Sequence, residues 1–219
     1  MKREIIVTSD GSTTIKLIDW DECYHSKHGA VQESKHVFIA NGLSLFENKP
    51  IAVLEMGFGT GLNAFITFLE AEKNKQSIDY VGLEAYPISS DEVQDMNYAT
   101  TLEAKDYEMV FLEMHTVSWG EKRQLSDHFA LTKRQQFFQD IEDQECFDLI
   151  YFDVFGFRVQ PELWSEEIFR KMYKSLKPNG VLVTYAARGV VKRNMLAVGF
   201  KVEKLPGPPG KREMFRAFK

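Results

Sequence analysis

The run from Pro50 to Gly61, PIAVLEMGFGTG, constrains the fold more than any other part of the chain. An apolar stretch, Ile51 to Leu54, leads into Glu55 and then glycines at alternate positions, Gly57, Gly59 and Gly61. The segment that follows, LNAFITFLEA, has the apolar spacing of an amphipathic helix. Strand, glycine turn and helix make the unit that brings backbone N–H groups to a ligand at a helix N-terminus. Glycine suits the turn because a Cβ would block that approach and penalise positive φ. The spacing is G-x-G-x-G, not the G-x-G-x-x-G of dinucleotide-binding folds. No Lys-Ser or Lys-Thr pair follows, so the turn is not a P-loop.

At 219 residues, 44% hydrophobic and 27% charged, the chain is expected to form one domain over 1–219. Residues 1–48 read as an N-terminal extension and 49–219 as the ligand-binding core. No apolar run approaches the ~20 residues that span a bilayer. The opening MKREIIVTSDG lacks the apolar centre of a secretory signal. Cys23 and Cys146 lie far apart and form no C-x-x-C. Together these features point to a cytoplasmic protein with reduced thiols.

The net charge of −5 argues against a protein that coats nucleic acid, but the charge is unevenly spread. From Arg188 to Lys219 there are nine Lys or Arg against two Glu, a segment of +7 on a body of −12. An acidic body with a basic end fits a protein that touches phosphate at one edge, and equally a solvated basic surface.

REIIVTSDGSTTIKLI reads as a hairpin about Asp10-Gly11. DECYHSKHGAVQESKHVFIANGL reads as a loop and then a helix ending near Asn41-Gly42. From Pro50 strands alternate with helices. IDYVGLEA is the second strand, residues 88–126 read as helical pieces and loop, and HFALT is a short strand followed by a helix through Phe137 and Phe138. FDLIYFDVF is apolar enough to be buried on both faces. PELWSEEIFRKMYKSL is an amphipathic helix stopped by Pro178-Asn179-Gly180. GVLVTYAA is another buried strand and Val190 to Val198 a helix. FKVEKL and EMFRAFK close the chain as an antiparallel pair. This order makes an α/β doubly wound sheet, with ligands expected at the carboxyl ends of its strands.

Two carboxylates stand at such ends. Glu84 follows Gly61 by 23 residues, where nucleotide-binding α/β folds hold ribose hydroxyls, though it also reads as a surface Glu opening a loop. Asp153 ends the most apolar strand, as a structural cap or as a catalytic group at a pocket mouth. Cys23, Tyr24, His25, Ser26, His28 and His36 gather near the N-terminus. Their spacing matches no zinc template, so no metal is expected, and a loop closing over a ligand or plain surface histidines are the better readings. In PGPPGKREM a rigid turn carries Lys211 and Arg212, which face an anion or solvent.

The G-x-G-x-G turn after an acidic residue resembles motif I of the S-adenosylmethionine (SAM) methyltransferases. Under that chemistry an acceptor amine must present a free lone pair, and a carboxylate such as Asp153 can orient its N–H or take its proton. The chain as a whole resembles the methyltransferases that complete 5-methylaminomethyl-2-thiouridine at the tRNA wobble position. The resemblance runs over nearly the full length. It rests on YHSKHGAVQESKHVFIANGL, LEMGFGTGLNAF, DVFGFRVQPELWS, LKPNGVLVTYAA and GPPGKREM. It implies a class I, Rossmann-like sheet of seven strands with the last reversed, an antiparallel C-terminal hairpin and an N-terminal hairpin and helix as an addition. It implies SAM as donor and the 5-aminomethyl group of a (2-thio)uridine in tRNA as acceptor. Gly57, Gly59, Gly61 and Asn63 would then surround the methionine end of SAM, Glu84 its ribose, and Asp153 the reacting amine, with Glu55 a further cofactor-binding residue. Tyr24, His25, Ser26, Lys211 and Arg212 would lie near the tRNA or the pocket rim.

Gly156-Phe157 stands where relatives carry a small residue and proline. Lys133 and Arg134 occupy the segment where many relatives place an adenine-contacting Asp, which leaves the adenine contact unassigned. Some relatives are fused to a flavin-dependent oxidase. Here that earlier step is expected of a separate FAD-dependent oxidase or another tRNA-modifying enzyme. The competing readings are a small-amine or aminopropyl transferase on the same fold, and a non-catalytic SAM- or RNA-binding scaffold.

Overall fold

Runs such as IAVLEM and FDLIYF carry apolar side chains on both faces, so they are stable only between two covering layers. The computed structural model describes residues 2–219 and builds those layers. The chain opens with β1 (Arg3–Val7), β2 (Thr13–Leu17) and β3 (Glu22–Cys23), an antiparallel sheet in that order. Helix α1 (Ala30–Ser34) runs directly into a π-helical segment over Lys35–Ala40. The core then follows as β4 (Ile51–Met56), α2 (Leu62–Asn74) and β5 (Ile78–Glu84). Three short helices come next, α3 (Ser90–Gln94), α4 (Tyr98–Thr101) and α5 (Glu108–Thr116). The rest is β6 (Lys122–Gln124), β7 (Phe129–Gln135), β8 (Phe147–Phe152), α6 (Glu166–Ser175), β9 (Leu176–Thr184), α7 (Gly189–Ala197), β10 (Lys201–Pro206) and β11 (Glu213–Phe218).

The large sheet has the order β10-β11-β9-β8-β4-β5-β7-β6. Strands β4, β5, β7, β8 and β9 run parallel, and β11 is antiparallel to both β9 and β10. The expected α/β sheet with its reversed last strand is therefore present. Along β8 the alternation is clear. Leu149 and Tyr151 join the layer of α2, with Phe65, Phe68, Tyr80 and Phe129. Ile150 and Phe152 join the layer of α6 and α7, with Trp164, Phe169 and Met172.

Four expectations need correcting. The sheet has eight strands, because β6 adds an antiparallel edge to β7 from within the segment read as helix and loop. The N-terminal hairpin gains a third strand, β3, paired to β2. The helix expected through Phe137 and Phe138 is one 3₁₀ turn, Phe138–Asp140, because its two aromatics do not continue into a periodic apolar stripe. Helix α6 stops at Ser175, and Pro178-Asn179-Gly180 lies inside β9, whose register to β8 is irregular there.

The strand order reverses at β4, with β5 on one side and β8 on the other. The crevice outside the ends of these strands is where an open α/β sheet takes its ligand.

Candidate active site

A cavity of about 540 Å³ occupies that crevice, within the range of about 300–1,000 Å³ common for small-molecule sites. Its floor is the turn after β4. Gly57 has φ +97°, and a Cβ there would lie 2.6 Å from the Asp153 carbonyl oxygen, so the two strand ends approach through a position only glycine fills. Gly61 is the left-handed N-cap of α2 and sits against the His115 ring. Leu62 and Asn63, in the first turn of α2, line the cavity. The positive end of a 13-residue helix therefore faces it.

Glu84, the last residue of β5, receives the Gly59 N–H at 2.9 Å on one oxygen and the Tyr86 N–H at 2.9 Å on the other. Both oxygens keep lone pairs for hydroxyls. Beyond it, Tyr86 and Phe137 are exposed at the cavity mouth with ring centroids 6.0 Å apart. These aromatics were not picked out from the sequence. Their position directly after the ends of β5 and β7 is the signal that could have found them.

Asp153, the residue after β8, is recessed in the same cavity. Ser34 donates to Asn63 Oδ1 at 2.6 Å, which turns the Asn63 Nδ2 toward Asp153 Oδ2 at 2.8 Å. Burial pushes the Asp153 carboxyl up to about 7, with Glu33 adding to the rise and Asn63 and Lys211 opposing it. A carboxyl poised there can take a proton near neutral pH.

The N-terminal segment forms the opposite wall with Tyr24, His25 and Ser26. Tyr24 packs edge-on to Phe155, centroids 5.1 Å apart. His25 is hydrogen-bonded through Nδ1 to Thr14 Oγ1 at 2.9 Å, and burial lowers its pKa to about 4. The Ser26 N–H donates to Glu33 Oε2 at 2.8 Å. Arg158 closes the wall by donating to the Trp20 and Asp21 carbonyls and to Glu22 at 2.8 Å.

The structure separates Glu55 from its expected place and parts Lys211 from Arg212. Glu55 does not line the cavity. Strand alternation turns it into the core beside Asn63 and Tyr80, with no hydrogen-bond partner among the described residues, and burial holds it well above the usual carboxylate range. Lys211 points inward and pairs with Glu33, whereas Arg212 beside it is 94% exposed. Lys133 is buried against Trp119, with its ammonium donating to the His115 carbonyl at 2.5 Å. The histidines do not converge. His36 meets the Pro206 carbonyl at 2.9 Å and His28 packs on Gly210. Among the described residues no group of three or more His, Cys, Asp or Glu is arranged to hold a metal ion, and no helix is long and apolar enough to cross a membrane.

A family model described as S-adenosyl-L-methionine-dependent methyltransferase matches residues 97–219. Curated relatives include the tRNA 5-methylaminomethyl-2-thiouridine biosynthesis bifunctional protein MnmC of Leptospira borgpetersenii, 30% identical over 212 residues. The protein of the same name from Campylobacter fetus is 28% identical over 204 residues. These alignments cover 89% and 90% of the chain but 32% and 33% of the relatives, so the chain spans about a third of their length. Among solved structures, MNMC2 from Aquifex aeolicus superposes with a TM-score of 0.79 at 24% identity, covering 99% of this chain and 69% of that one. Spermidine synthase from Thermotoga maritima superposes with a TM-score of 0.56 at 13% identity, covering 99% and 68%. Both likenesses are of fold.

Proposed function

The chain belongs to the S-adenosyl-L-methionine-dependent methyltransferase family, and from that premise we propose that it methylates the exocyclic amine of 5-aminomethyl-(2-thio)uridine at the tRNA wobble position, giving 5-methylaminomethyl-(2-thio)uridine. The observation that carries the reading is a carboxyl recessed beside a glycine turn and poised near neutrality. The names of the relatives supply the acceptor. A cytoplasmic location, where tRNA is modified, and an upstream activity producing the aminomethyl group belong to the same reading.

The cavity fits the donor on three counts. The start of α2 faces the cavity and suits a carboxylate. Glu84 has free lone pairs for ribose hydroxyls, and Tyr86 and Phe137 offer ring faces to a base. When bound, SAM supplies an electrophilic methyl group on a sulfonium. Gly57, Gly59, Gly61 and the first turn of α2 would hold its methionine end. Glu55, buried in the core, is not among these residues.

Asp153 is the residue for the acceptor. An alkyl amine is mostly protonated at neutral pH, with a pKa about that of lysine, near 10. It must lose a proton before its lone pair can react. Asp153 accepts that proton at Oδ1 while Asn63 holds Oδ2, which fixes the carboxyl plane. Tyr24, Phe155 and the Arg158 tie keep this end of the cavity walled from bulk water.

The test is transfer of label from SAM to bulk tRNA from cells lacking this protein, followed by nucleoside analysis. Label in 5-methylaminomethyl-(2-thio)uridine is the expected outcome. Unlabelled tRNA, with SAM still bound, would overturn the acceptor.

A further inference from the structure

The ion pair of Glu33 and Lys211 lies inside the cavity that holds Asp153. Its members come from distant parts of the chain, Glu33 from α1 and Lys211 from the turn between β10 and β11. The Glu33 side chain is 8% exposed and that of Lys211 31%. Glu33 is fixed at its other oxygen by the Ser26 N–H. The Lys211 ammonium stands 3.8 Å from the centroid of the Tyr185 ring. Tyr185 in turn donates its hydroxyl at 2.8 Å to the carbonyl of Val154, the residue after Asp153. An ion pair so enclosed is a poor stabilising device, because desolvating the two charges offsets most of their attraction. It is an effective source of local field, because little water screens it.

We propose that Glu33 and Lys211 are positioning residues of the acceptor subsite: the pair sets the charge beside Asp153 and so the pH at which Asp153 is free to take a proton from a cationic amine. This rests on the reading of Asp153 as the group that faces that amine. Negative Glu33 favours the protonated form of Asp153, and positive Lys211 favours the carboxylate. The other groups near Asp153 are Asn63 of α2, Glu55 of β4, Tyr80 of β5 and Tyr185 after β9, while His25 after β3, Glu22 of β3 and Glu84 of β5 line the same cavity. Asn63 carries no charge. Burial keeps Tyr80, Tyr185 and His25 neutral and holds the Glu55 carboxyl well above the usual carboxylate range. Glu22 is paired with Arg158 at 2.8 Å. Glu33 and Lys211 are therefore the charges that act most directly on Asp153.

The pair is tested by carbon-13 NMR of the aspartate carboxyls in the protein alone, with Asp153 identified by its loss in Asp153→Asn. The wild-type carboxyl is expected to titrate near 7. Glu33→Gln should lower the midpoint and Lys211→Met should raise it, each by on the order of one pH unit, while the charge-keeping Lys211→Arg leaves it in place. The acid limb of kcat for methyl transfer should move in the same directions. Midpoints that stay at the wild-type value in both neutral variants, or that move the same way in both, overturn the proposal. Glu33→Gln is nearly isosteric, and its midpoint decides alone should Lys211→Met not fold. These midpoints need no acceptor. Expected shifts with no label in tRNA would overturn the substrate reading and leave the action of the pair on Asp153 standing.

Discussion

A carboxyl held near neutrality by burial accepts protons usefully and also costs folding free energy. An ordinary Asp titrates near 3.9, and Asp153 is pushed up to about 7. Between those values the native protein holds a proton that the unfolded chain has lost, so stability falls as pH rises through that window. Asp153→Asn removes the effect. The variant should gain stability over wild type by about 1.4 kcal/mol per pH unit across the window, read from denaturant midpoints. A difference independent of pH would contradict the shift. The same variant should lose methyl transfer by on the order of 10² or more while calorimetric SAM affinity changes only a few-fold. Loss of both together would make Asp153 a structural cap. Gly57→Ala should do the opposite, abolishing SAM binding, because its Cβ meets the Asp153 carbonyl at 2.6 Å and its φ of +97° is strained. Asp153 and Glu84 were legible because a carboxylate ending an apolar strand is conspicuous. The burial of Glu55 was not, because a glycine-turn pattern does not say which way the preceding side chain turns. The partnership of Glu33 and Lys211 was hidden by their separation of 178 positions in the chain.

Helices α4 and α5 brace the glycine turn from behind. Tyr98 donates to Thr60 Oγ1 at 2.8 Å, and His115, held neutral by burial, donates from Nε2 to the Thr60 carbonyl at 3.1 Å. Lys133 anchors His115 in turn through its carbonyl. Tyr98→Phe should cost about 0.5–1.5 kcal/mol of stability. It should also raise the KM for SAM with kcat little changed, since the turn and not Asp153 loses support. A kcat loss with KM unchanged would place the brace elsewhere. This segment resisted reading because helices of 5, 4 and 9 residues are too short to show a period. One local signal was present in it. Ser89 and Glu92 form a capping box at the start of α3. The longer α6 was plain from its apolar stripe, and Ser165 caps it by accepting the Ile168 N–H.

At the scale of the molecule the basic C-terminal part divides between fold and surface. Lys211 is committed to Glu33, Arg216 to Glu203 at 2.9 Å, and Lys219 to the Leu176 carbonyl at 2.7 Å. Arg212, Arg188 and Arg193 are exposed. If these meet the phosphate backbone, Arg212→Ala should reduce the salt slope of tRNA binding by about 1, while Lys211→Ala leaves that slope unchanged. Equal reductions would return Lys211 to the phosphate footprint. The sheet was legible almost throughout, because buried strands and a reversed terminal pair follow from apolar runs and turns. How the N-terminal sheet roofs the cavity was not, because the Arg158 tie and the contacts of His28 and His36 join residues distant in sequence. The insertion of β11 between β9 and β10 has a consequence for synthesis. Residues 21–33 leave the ribosome early, but the wall they begin is finished by Lys211 from the turn that leads into β11. A nascent chain can therefore assemble its glycine turn and β8 while the pocket still gapes. It becomes competent only when β11, made after both of its neighbours in the sheet, slides in between β9 and β10.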